Sequence, residues 1–147
     1  MSWDSFWRWG QYGLDTSSYD HADDMVDKYT KLLKNLDKHI ANYESYKETV
    51  DGYYQNAFFT ISNNNAGTFG HWLSFYTGKV HKWKEHKGTF YTKMNNEYDL
   101  AKTRRETVSG YKTSWENTRS DEARKLDEAR QRQIEEARKY LESLFGG

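Results

Sequence analysis

The sequence predicts an all-α protein. It reads as an elongated antiparallel helical hairpin, coiled-coil-like, with a longer or broken second helix and a tryptophan-rich segment in front. Three observations carry this. The chain of 147 residues has no proline, where average usage would supply about seven, and proline is excluded from helix interiors. Apolar and aromatic residues recur at sevenfold spacing on both sides of one loop-like stretch, the pattern of paired helices. That stretch, Asn63-Asn64-Asn65-Ala66-Gly67-Thr68-Phe69-Gly70, is the only strong loop signal in the interior.

The first element is residues 1–18, with Trp3, Phe6, Trp7, Trp9 and Tyr12 ahead of Gly13. On a helix Trp3, Phe6, Trp7 and Gly10 share one face and Trp9 points elsewhere. Helix 1 is expected over 19–60. Its heptad series is Ala22, Tyr29, Leu36, Tyr43, Val50 and Ala57, and its companions three residues on are Met25, Leu32, His39, Tyr46 and Tyr53. Val26, Leu33 and Ile40 widen the stripe at its start. Ser17 or Ser18 is a candidate cap, and Asp20, Asp23 and Asp24 favour the positive end of the helix dipole.

A turn is expected over 61–70 and helix 2 over 71–115. The series here is Leu73, Val80, Lys87, Met94, Ala101, Val108 and Trp115, accompanied by Tyr76, Trp83 and Phe90 and then by polar residues, beside which Tyr91 and Tyr98 can substitute. Gly78 and Gly88 mark places for a bend or break. Residues 116–147 form a charged helical tail. Its stripe of Ala123, Leu126, Arg130, Ile134, Ala137, Leu141 and Leu144 suggests a four-residue stutter near Ser120.

Composition narrows the function. The chain has 22 basic and 22 acidic residues and no cysteine. Zero net charge argues against general nucleic-acid binding, and the missing thiols remove cysteine catalysis and thiolate zinc sites. No apolar run approaches the roughly 18 residues of a membrane span, and the N-terminus lacks the order of a secretory signal. A cytoplasmic place, or one within a large complex, is the expectation. The 25 aromatic residues outnumber the 16 Leu, Ile and Val, which suits half-polar contacts better than a dry globular centre.

Charge supports the hairpin. With the turn centred on Asn65-Ala66, facing residue numbers total about 131. Glu44, Glu48 and Asp51 then face Lys87, Lys84 and Lys79 or Lys82, while Asp24 and Asp27 face Arg104 and Arg105. The expected helix interface comprises Tyr29, Leu36, Tyr43, Val50, Val80, Trp83, Met94, Val108 and Trp115.

Candidate chemistry is sparse. Trp3, Phe6, Trp7, Trp9 and Tyr12 read either as an anchor for a partner groove or membrane interface or as a lid on the chain's own tail. Protein is the better target, since Arg8 stands against Asp4 and Asp15 and gives no attraction to anionic lipid. The lysines from Lys79 to Lys93, interleaved with Trp83, Phe90 and Tyr91, could grip single-stranded nucleic acid, but the hairpin register already gives them acidic partners. The Asp20–Asp27 cluster lacks an EF-hand loop, and His81 with Glu85 supplies too few ligands for zinc. Gly146-Gly147 reads as a helix stop. No catalytic constellation, cofactor loop or metal site is expected.

Tyr19 to Asp23 matches a loose Tyr-x-x-x-Asp signal, and the cysteine-free helix–turn–helix has an aromatic-rich turn. In this the chain resembles the WXG100 and LXG-associated proteins of type VII secretion, with Gly70-His71-Trp72 where those carry Trp-x-Gly. The resemblance implies a secreted hairpin or chaperone-like partner. The residues themselves point first to a non-catalytic scaffold or interaction subunit, completed by self-association or by other protein subunits.

Overall fold

The computed structural model describes the backbone of residues 3–64 and 71–145, and the side chains of 3–56 and 78–145. It is an all-α helical hairpin with a longer second helix. Helix α1 spans Trp3–Trp9 and runs into a single 3-10 turn at Gly10–Tyr12. Helix α2 spans Ser17–Asn64, and α3 spans His71–Phe145. Among the described residues there is no strand. Residues 65–70 of the expected turn lie outside the described residues, and 61–64 belong to α2. Helix α3 continues through Gly78 and Gly88, where a break was anticipated, and on through the tail.

The start of α2 is built by short-range hydrogen bonds. The Asp15 carboxylate accepts the Ser17 backbone N–H at 2.9 Å, an Asx cap that satisfies one of the donors every helix leaves open at its start. That bond, with a second from the Ser17 side chain, holds the Asp15 carboxyl below its ordinary 3.8. Thr16 accepts the Asp20 N–H at 2.9 Å and donates its hydroxyl to Asp20 Oδ2 at 2.7 Å.

Contacts divide the chain into two units, Asn35–Arg105 and the pair Met1–Lys34 with Glu106–Gly147. In Asn35–Arg105, Met94 and Ala101 are buried, and Leu36, Ile40, Tyr43, Val50, Tyr54, Val80 and Trp83 are half-buried. Trp83 packs edge-on to Tyr54 with centroids 4.8 Å apart. In the other unit Ala22, Val26 and Leu126 are buried, and Tyr29, Val108 and Trp115 are half-buried. Trp115 meets the His21 ring edge-on, and Tyr29 lies 5.8 Å from Tyr111.

The buried face of α2 corrects the heptad reading. The expected companions Leu32, His39, Tyr46 and Tyr53 are exposed. The covered companions are Val26, Leu33, Ile40 and Tyr54, four residues after Ala22, Tyr29, Leu36 and Val50, while Lys47, four after Tyr43, is exposed. Both choices give sevenfold periodicity, so spacing alone does not separate them.

The register also differs. Tyr91 donates its hydroxyl to Asp51, Tyr98 donates to Glu44 at 2.6 Å and Arg105 donates to Asp37 at 2.5 Å. Each pair totals 142, and so does the Arg119–Asp23 pair of the other unit. The facings expected of Glu44 with Lys87, Glu48 with Lys84, and Asp24 and Asp27 with Arg104 and Arg105 belong to a setting displaced by eleven residues. Eleven residues are close to three helical turns, so the same faces meet in both settings and a charge count along the faces does not distinguish them. Lys87 instead lies over the rings of Tyr54 and Tyr91, at 5.3 and 5.4 Å, a cation–π arrangement. Helix α3 runs through Ser120 without interruption.

Candidate functional site

Helix α1 is where the sequence and the packing give most. Its residues Ser5 and Trp9, one turn apart, are fully buried. Ser5 Oγ donates to Asp20 Oδ1 at 2.7 Å, so Asp20 holds both Ser5 of α1 and Thr16 at its own helix start. The Trp9 ring packs edge-on to Tyr19 with centroids 4.6 Å apart. Its indole Nε1 donates to Asp127 Oδ1 at 3.0 Å, and Arg8 donates to the other oxygen of Asp127 at 3.2 Å. One carboxylate thus takes two donors from α1, one of them charged, which strengthens the contact.

Two residue choices let α1 lie flat. Ser5 is small enough to bring the helix against Asp20. Gly13 takes φ 65°, the left-handed region, and bonds back to Gly10, a reversal that costs an L-residue roughly 1–2 kcal/mol. Tyr12 is half-buried with the Arg130 guanidinium 5.7 Å from its ring centroid.

The opposite face of α1 is open. Trp3 is 76%, Phe6 55% and Trp7 67% exposed, and Phe6 and Trp7 sit edge-to-face at 5.7 Å. Of the five expected anchor residues, Trp9 and Tyr12 therefore face the chain's own tail, and Trp3, Phe6 and Trp7 face away. The sequence shows the helical face shared by these three. It does not show that the face turned inward is the one bearing Ser5 and Trp9, because Asp127 is 118 positions from Trp9. The remaining signal was Trp9 itself, the one indole off the common stripe.

Around this element, Arg119 donates to Asp23 at 2.8 Å, which with neighbouring acids raises the arginine further. Burial, then the Asp23 charge, pushes the Tyr19 hydroxyl up. The acidic cluster at the start of α2 is thereby committed, Asp20 to hydroxyls and Asp23 to a guanidinium. Among the described residues no group of three or more His, Asp or Glu comes together for a metal ion, and His81 meets Glu85 alone at 3.4 Å. In Asn35–Arg105 a groove of about 290 Å³ is lined by Tyr43, Glu44, Lys47, Glu48, Met94, Asn95 and Tyr98, near the lower end of ligand pockets. No described helix is long and apolar enough to cross a membrane.

No known family model, curated protein or solved structure matches the chain.

Proposed function

We propose that the protein is a non-catalytic interaction subunit whose helical hairpin carries α1 as a displayed aromatic surface. The observation that supports this is the division of labour on α1. Its inward face is fixed by Ser5, Trp9 and Arg8, and its outward face presents Trp3, Phe6 and Trp7 without using them to hold the fold. Large rigid aromatics with few rotatable bonds are the side chains that dominate protein interfaces. A helix anchored on one side keeps them ordered before a partner arrives, which reduces the entropic cost of binding. A protein partner is favoured over a lipid surface, because the one basic residue of this segment, Arg8, stands against Asp4 and Asp15 and offers no attraction to anionic headgroups.

The test is a triple substitution, Trp3→Ala with Phe6→Ala and Trp7→Ala, compared with wild type by quantitative affinity capture from the native source. Helicity and thermal midpoint stay unchanged and specific partners are lost. Recovery of the same partners at the same level by a folded triple variant rejects the reading.

A further inference from the structure

The polar pairs between α2 and α3 repeat, and the contacts of α1 do not. Asp51, Glu44, Asp37 and Asp23 of α2 are spaced at multiples of seven, and so are their donors Tyr91, Tyr98, Arg105 and Arg119 on α3. Lys84 and Lys112 hold further positions of the same α3 series. Sliding α3 by one heptad therefore offers each carboxylate a new donor. Lys84 comes to Asp51, Tyr91 to Glu44, Tyr98 to Asp37 and Lys112 to Asp23. The apolar seam steps with them, because Ala22, Tyr29, Leu36, Tyr43 and Val50 share the spacing. The slide also brings Asn64, at the end of α2, level with His71, at the start of α3, so the connecting chain has less distance to cover.

Helix α1 distinguishes the two settings. It is joined to the start of α2 and bound to it through Ser5 and Asp20. On α3 it meets Asp127, which takes Trp9 and Arg8, and Arg130, which lies over Tyr12. Seven positions before these stand Ser120 and Ala123. A serine hydroxyl has no charge and no second oxygen for the guanidinium and the indole, and alanine has no cation for the tyrosine ring. We propose that α1 is a register lock: the hairpin has two settings one heptad apart, docking of α1 on Asp127 selects the present one, and its release lets α3 slide along α2 by about 10 Å. This device uses the inward face of α1 and does not depend on a partner for Trp3, Phe6 and Trp7.

The test reads the register by electron–electron double resonance between spin labels on Lys38→Cys and Lys82→Cys, both exposed positions of a chain with no cysteine of its own. With a 1.5 Å rise per residue and helix axes about 10 Å apart, the backbone separation is about 34 Å in the present setting and about 25 Å in the other. The chain with its lock intact gives the long distance. Moving the lock by seven positions, Asp127→Ser with Ser120→Asp, transfers the main distance to the short value at unchanged helicity. Releasing it, with Asp127→Ala and Arg130→Ala, adds the short distance to the long one. A folded lock-moved variant that keeps only the long distance overturns the proposal. Should that variant fail to fold, the released variant decides, and the long distance alone in that chain overturns the proposal as well.

Discussion

Trp9 and Asp127 join the beginning of the chain to the last third of α3 through one indole N–H to carboxylate bond of 3.0 Å, with Arg8 on the second oxygen. The bond decides which face of α1 is hidden. It also fixes the tryptophan-rich segment to a helix that local sequence gives no reason to associate with it.

Replacing Asp127 with alanine leaves a buried indole N–H without an acceptor, which costs about 1–3 kcal/mol. Urea unfolding will show that loss. Amide exchange over residues 3–12 will accelerate, while Asn35–Arg105 keeps its protection. Unchanged exchange in α1 would mean that Tyr19 packing alone holds it.

The Tyr91 hydroxyl is pushed up to about 12, first by burial and then by its hydrogen bond to Asp51. In the unfolded chain the same group ionises near 10. The folded state therefore holds the proton more tightly, and the stability this contributes is complete below about pH 10 and is lost as pH climbs towards about 12. The difference in unfolding free energy between wild type and Tyr91→Phe will shrink across that window and stay constant from about pH 7 to 9.

The Arg119–Asp23 pair is partly shielded from water, and the Arg138–Glu142 pair is open to it. Double-mutant cycles with alanine will give a coupling of about 1 kcal/mol for the first and below about 0.5 kcal/mol for the second, since solvent screens exposed pairs. Half-molar salt will reduce the second more than the first. Equal couplings would show that shielding is irrelevant here.

Gly88 and Gly110 sit inside α3 with nothing within 4 Å of a built Cβ. Alanine at either will raise stability by about 0.5–1 kcal/mol. Gly13 also has open space, but its φ of 65° makes alanine there destabilising by about 1–2 kcal/mol. Thermal unfolding of the three variants separates conformation from packing as the cause.

Much of the architecture was legible because helix periodicity is local. Missing proline, the seven-residue series and one loop signal suffice for two paired helices. The seam was read one position off on α2, since Met25, Leu32 and Tyr46 repeat as regularly as Val26, Leu33 and Ile40. Register escaped as well, because a displacement of eleven residues preserves every face. The identity of Asp51, Glu44 and Asp37 as partners of Tyr91, Tyr98 and Arg105 depends on axial position, which periodicity does not encode. At α1 the aromatic face was visible, but its direction rests on a contact between distant parts of the chain.

The pairs that repeat every seven residues have a weakness of their own. A row of like partners resembles the teeth of a rack, and one tooth of slip moves Asp51 from Tyr91 to Tyr98 at almost no chemical penalty. Helix α1 has no such repeat. It holds Asp20 of α2 with Ser5 and Asp127 of α3 with Trp9, and so acts as the pawl that lets the two helices of its unit engage at a single notch.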